Sequence, residues 1–156
     1  YHVTDIISHV IENLQHEDYF TYKVFALTEE QSKNLDHTIA TVPFESITGC
    51  GCENGWYNHP KWRAGYYHFV SAIYADVLQK DLNGFDERYA DGWGFEDDDL
   101  IIRINNRGLK KSIIENHLAL HQWHKPTPAA GTDGMPASNE WMKNITLREG
   151  KIRVNE

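Results

Sequence analysis

At 156 residues the chain can bury a core as one domain, and 40% apolar with 24% charged residues is a globular balance far from a disordered one. Fifteen basic against 23 acidic side chains give a formal charge of -8, which excludes a phosphate backbone or an anionic lipid surface as a direct partner. No apolar run reaches transmembrane length and no signal peptide is visible, so neither a membrane span nor nucleic acid enters the expected partners.

In chain order, TDIISHVIENLQ predicts a helix with Thr4 as N-cap and Ile6, Ile7, Val10, Ile11 and Leu14 in one apolar stripe. DYFTYKVFALT, rich in aromatic and β-branched residues, predicts a strand. TEEQSKNLDH predicts a short polar helix capped by Thr28, with Glu29 and Glu30 in its first turn. From Val42 to Arg63 glycine, proline and aromatics mix without period, as in a long functional loop. YYHFVSAIYADVLQKD predicts a strand near 67–74, then a short helix ending near Asn83-Gly84.

DDDLIIRINNRG carries acids first, apolar Leu100, Ile101 and Ile104 on one face, Arg107 late and Gly108 as a C′ residue, and predicts a helix. LKKSIIENHLALHQWH predicts a strand or two, broken at Glu115-Asn116. The tail from Lys125 is expected to be extended or loosely packed, with ITLREGKIRVNE turning as a hairpin at Glu149-Gly150. The mixture is α/β, a mixed sheet with flanking helices.

Cys50 and Cys52 are too close for an ordinary disulfide, and no second pair completes a zinc site, so a reduced, cytoplasmic compartment is the default. Asn144-Ile145-Thr146 matches a glycosylation sequon, a pattern that commonly arises by chance. The chain opens at Tyr1 and its first methionine is Met135, so a piece of a longer protein is expected.

The chemistry concentrates in GWGFEDDD. One reading of Glu96, Asp97, Asp98 and Asp99 is a helix start that complements the macrodipole with acids. The other is a site: one or two acids suffice for that purpose, four in a row repel, and Gly92-Trp93-Gly94 presents an indole on a tight turn. An indole stacks on the C–H face of a sugar while a carboxylate takes its hydroxyl hydrogens, and a carboxylate held near neutral pKa serves as a general base. His117, His121 and His124 lie downstream without a zinc-enzyme spacing; His117 and His121 would share a strand face, and one imidazole can complete a site built from carboxylates and phosphates.

NGFDERYADGWGFEDDDLIIRI, with WYNHPKWR before it and HLALHQWH after, resembles the C-terminal, acceptor-side part of a GT-A glycosyltransferase of the family 2-like and galactosyltransferase group. The resemblance covers roughly residues 56 to 124, through three motifs in order. It implies that Asp97 deprotonates the acceptor hydroxyl, that Glu96 holds the acceptor sugar and Trp93 stacks on it, and that His121 ligates a divalent cation, usually manganese. Gly94, Trp56 and Arg63 are carried over as further substrate-binding positions, and Asp86 and Glu87 as structural ones. It further implies a nucleotide-sugar donor such as a UDP-sugar, a saccharide acceptor, inversion at the anomeric carbon because Glu-Asp stands where retaining relatives tend to have Glu-Asn, and a Golgi lumen location in a eukaryote.

No D-x-D precedes Thr4, so residues 1–124 are expected to be the acceptor half of such a domain, followed by an extension at 125–156. The isolated chain is then expected to be inactive, with an exposed apolar face that favours a homodimer. A non-catalytic sugar-binding or assembly module is one alternative; a glycoside hydrolase, which needs two acids on opposite sides of the scissile bond, is another.

Overall fold

The protein is described here by a computed structural model covering residues 5–34, 55–64, 70–125 and 136–155. Cys50, Cys52, Thr4 and Met135 lie outside the described residues, as do 67–69 of the expected strand near 67–74. The elements are α1 (Ile6–Asn13), β1 (Asp18–Ala26), α2 (Glu29–Lys33), β2 (Trp56–Asn58), β3 (Ser71–Ala72), a π-helical turn (Val77–Asp81), a 3₁₀ turn (Glu87–Asp91), α3 (Glu96–Arg107), β4 (Lys110–His121) and α4 (Glu140–Glu149).

β1 is the centre of the sheet. It pairs antiparallel with β2 through Val24–Asn58 and Phe25–Trp56, and antiparallel with β3 through Phe20–Ala72 and Thr21–Ser71. β4 also pairs with β1. The Lys110 N–H donates to the Glu17 carbonyl just before β1, and the Leu27 N–H donates to the His121 carbonyl just after it. The two strands therefore run parallel, and the sheet is mixed. Because β4 follows β1 from end to end, the two short antiparallel strands must share its other edge. A strand so enclosed is buried on both faces, and eight of nine β1 residues are buried.

The chain divides into two compact units. The first comprises Tyr1–Leu14, Phe20–Ala72 and Ser112–Lys125; the second comprises Gln15–Tyr19, Ile73–Lys111 and Pro126–Glu156. In the first unit Ile6 and Leu14 of the α1 region pack on Phe20, Tyr22, Val24 and Ala119, with Val10 and Ile114 beside them. The cap of α1 is Asp5, whose carboxylate accepts from the Ser8 N–H at 2.9 Å. The expected five-residue stripe divides: Ile6, Val10 and Leu14 follow the i, i+4, i+8 line toward the sheet, while Ile7 and Ile11 stand 63% and 78% exposed. α2 forms as expected, with Thr28 and Gln31 in a reciprocal capping box.

In the second unit Val77, Leu82, Leu100, Ile104 and Leu109 form the core with Tyr19, and Ile73, Ile101 and Ile152 lean on it. α3 ends as its sequence predicts, with Gly108 left-handed at φ 85° and the Leu109 N–H returning to the Ile104 carbonyl. Three expectations change. The short helix before Gly84 is a π turn over Val77–Asp81, closed by the Leu82 N–H on the Val77 carbonyl. β4 is one unbroken strand, because Glu115 and Asn116 are exposed and interrupt nothing. The final segment is a helix, not a hairpin: Gly150 caps α4 at φ 61°, Met142 and Thr146 are buried, and α4 packs against α3.

Candidate functional site

The second unit contains an open cleft of about 650 Å³ whose wall includes Phe85, Glu87, Tyr89, Trp93, Gly94 and Glu96. Its floor is set by Asp86, a buried side chain that caps the 3₁₀ turn and bonds the Arg88 guanidinium and backbone N–H. Arg88 holds the Asp86 carboxyl below the ordinary carboxylate range. Tyr89 is buried beneath the cleft, and its hydroxyl is pushed above the ordinary phenol value by burial first and by Asp99 and Asp86 second.

Trp93 presents a half-buried side chain on a backbone held at both polar groups. Its N–H donates to the Ala137 carbonyl at 2.9 Å and its carbonyl accepts from the Asn139 N–H at 3.1 Å. Gly94 and Phe95 follow, both left-handed at φ 69°, and turn the chain into α3. The glycine adopts this freely; Phe95 does so at a cost, as residues beside functional clefts often do. Lys143 of α4 lies 4.4 Å over the Phe95 ring.

The four acids that open α3 separate into distinct environments. Glu96 is exposed and stands in the cleft wall with Trp93. Asp97 is half-buried, and its Oδ1 accepts from the Asp98 N–H at 2.9 Å; it is not part of the wall. The Asp98 carboxyl is pushed above its ordinary value by desolvation and by Asp97, against the pull of Lys143. Asp99 is neither a cap nor a surface acid. It is fully buried against Arg103, whose Nε donates to it at 2.7 Å.

Trp56, Arg63 and His121 belong to the first unit. The indole of Trp56 meets Phe25 edge-on, centroids 4.9 Å apart, and lies 4.5 Å from the His59 ring. Arg63 stacks over Tyr57 at 5.6 Å, and its backbone pairs with that of His59. His121 ends β4 with its ring 4.5 Å from Tyr57 and 5.3 Å from His124. His124, the last of the three histidines singled out in the sequence, lies beyond the end of β4 with its ring beside that of His121. Among the described residues no three His, Cys, Asp or Glu side chains converge to hold a metal ion.

Burial lowers the His121 pKa first, and the charge of His124 adds to it. His59 is lowered by desolvation and by Lys23, and His9, 4.2 Å from the His117 ring on the inner side of α1, by desolvation and by His117. All three sit in the first unit and prefer the neutral form when folded. Their stabilising contribution is whole above the unfolded value near 6.5 and is lost as pH falls through the folded values. The urea midpoint of the protein is therefore expected to drop between pH 7.5 and 5.5, and His9→Gln to shrink the drop; an unchanged midpoint in the parent chain would contradict this. His16, raised by Asp76 and Glu17, works in the opposite sense, losing its contribution as pH rises through its folded value.

The mixed sheet and its flanking helices make this an α/β protein, an architecture consistent with a glycosyltransferase domain. More particularly, residues 56–125 match the family model described as the N-terminal domain of galactosyltransferase, and this segment is similar to that family. That description names an N-terminal domain, whereas the motif resemblance placed the same residues on the acceptor side; both lead to the galactosyltransferase group. Comparison with curated proteins and with solved structures gave no match. The matched family suggests glycosyltransferase activity, with a nucleotide-sugar donor and an acceptor. No helix among the described residues is long and apolar enough to cross a membrane.

Proposed function

We propose that this chain supplies the acceptor side of a metal-dependent, inverting GT-A glycosyltransferase that moves a sugar from a nucleotide diphosphate donor to a saccharide hydroxyl. The observation that carries the reading is the cleft in which Trp93 and Glu96 stand together, inside the segment that matches the galactosyltransferase family. The indole supplies a flat apolar face, and Glu96 accepts hydrogen bonds from sugar hydroxyls. Asp97, one residue further on, takes the proton of the attacking hydroxyl as its oxygen bonds to the anomeric carbon. The bond from that carbon to the diphosphate oxygen breaks on the opposite face, and the diphosphate leaves with the electron pair.

His121, with His124 beside it, would hold the divalent cation, manganese in the first instance, which neutralises diphosphate charge that a chain of net charge -8 would otherwise repel. Gly94 keeps the turn open beside the indole, and Trp56 and Arg63 present further aromatic and cationic surface for substrate. Acceptor binding is the property that the Trp93–Glu96 cleft can show by itself.

The test is therefore binding before turnover. A panel of neutral mono- and disaccharides is titrated against the chain and followed by tryptophan fluorescence. Trp93→Ala is expected to weaken binding roughly tenfold, the worth of one stacked aromatic face. Asp97→Asn, isosteric but unable to take the proton, should keep binding and lower any measurable transfer by roughly 10²- to 10⁴-fold. Sugar release from a glycoside without nucleotide or metal would point to a hydrolase instead. Saccharide binding that ignores Trp93→Ala would remove the acceptor-cleft reading.

A further inference from the structure

The matched family segment ends at residue 125, yet the cleft walls are held from residues 137–155. Two asparagines do most of the holding. Asn139 is buried; its Nδ2 donates at 2.9 Å to the Tyr89 carbonyl, which also takes the Gly92 N–H, and its own N–H binds the Trp93 carbonyl. A Cβ on Gly92 would overlap the Asn139 amide oxygen, so the bare glycine is what admits this side chain. With Ala137 taking the Trp93 N–H, every backbone polar group of the tryptophan is committed to this one segment.

Asn155 does the same for the Phe85–Glu87 edge. Its Nδ2 donates to the Phe85 carbonyl at 2.7 Å and to the Asn83 carbonyl at 3.2 Å, and its Oδ1 accepts the Glu87 N–H at 3.0 Å. Asn83 replies by donating to the Val154 carbonyl at 2.6 Å. Both asparagines of this pair are left-handed, at φ 59° for Asn83 and 56° for Asn155, a conformation asparagine tolerates better than most residues.

We infer that residues 136–155 are an integral brace behind the cleft wall, with Asn139 and Asn155 as positioning residues: Asn139 sets the Trp93 turn and Asn155 sets the Phe85–Glu87 edge. The use of that cleft for saccharide rests on the function proposed above; the positioning does not.

The experiment labels the chain with 5-fluorotryptophan and assigns the Trp93 fluorine signal with Trp93→Phe. Asn139→Ala is expected to shift or broaden the Trp93 signal while those of Trp56, Trp62 and Trp123 stay in place. Asn155→Gly keeps the left-handed backbone and removes only the side chain. It should lower hydrogen-exchange protection of the Glu87 amide about tenfold, as for one lost hydrogen bond, and leave the α3 amides unchanged. Methyl β-D-glucoside and methyl β-D-galactoside serve as saccharide probes, and each variant should raise the apparent Kd about tenfold. A Trp93 signal unmoved by Asn139→Ala, or a Glu87 amide unmoved by Asn155→Gly, overturns the inference. If the parent chain binds neither glycoside while both local signals move, the saccharide reading fails and the positioning stands. Should Asn139→Ala not fold, the Asn155→Gly measurement decides alone.

Discussion

Arg103→Ala is expected to cost the protein about 3–5 kcal/mol of unfolding free energy, because it strands a carboxylate in the driest part of the second unit. Both side chains of the Asp99–Arg103 pair are 0% exposed. The guanidinium is committed in three directions, with Nε on Asp99 at 2.7 Å and Nη1 on the carbonyls of Leu82 and Gly84 at 3.0 and 2.9 Å. It thus ties the first turn of α3 to the turn that leads into Phe85 and Asp86, beneath the cleft. Arg103→Lys should rescue little, since one ammonium cannot reproduce a fork that bonds three acceptors. Asp99→Leu combined with Arg103→Met should recover most of the loss, because a buried pair is often worth no more than well-packed apolar residues. Equilibrium urea unfolding of the four proteins checks this. An Arg103→Ala chain within about 1 kcal/mol of the parent would show that the pair is not buried in solution.

How far the sequence could be read depends on what each residue answers to. α3 was legible at both ends because its signals are local: acids before an apolar face and Gly108 after it. The π turn at Val77–Asp81 and the single strand of β4 were not, since Glu115 and Asn116 look like a break until neighbouring backbone is present to carry the strand past them. Asp99 illustrates the harder limit. Its neighbours Glu96, Asp97 and Asp98 carry the same charge in the same turn, and only tertiary packing buries Asp99 against Arg103 and leaves Glu96 in the cleft wall. The tail went unread for a related reason. Asn139-Glu140 opening and Gly150 closing a ten-residue segment is a helix pattern in outline, but the surrounding Pro, Gly and Thr outweighed it. The bonds from Asn139 and Asn155 to the cleft span 50 and 68 to 72 residues, a separation at which one sequence carries no pairing signal.

Gly55→Ala is expected to destabilise the first unit by roughly 2–4 kcal/mol, the sum of a left-handed penalty and an overpacked core contact. Gly55 is left-handed at φ 79°, and a Cβ there would overlap the Phe25 ring, which is itself fully buried. The glycine sits where β2 needs it. Val24 pairs with Asn58 but Phe25 pairs with Trp56, so Tyr57 is an extra residue in β2, a bulge that redirects its side chain. That side chain is the one whose ring lies 4.5 Å from His121. Phe25→Leu in the Gly55→Ala background should recover part of the loss by opening space for the methyl group, leaving about 1–2 kcal/mol for the backbone term. The double-mutant cycle then has a local companion: in the Gly55→Ala chain the ring-proton shifts of His121 should move, because Tyr57 carries the aromatic face they sense. If stability falls without any movement at His121, the bulge and the imidazole are not mechanically linked. A linked response makes Gly55 part of how β2 presents Tyr57 to the proposed cation ligand.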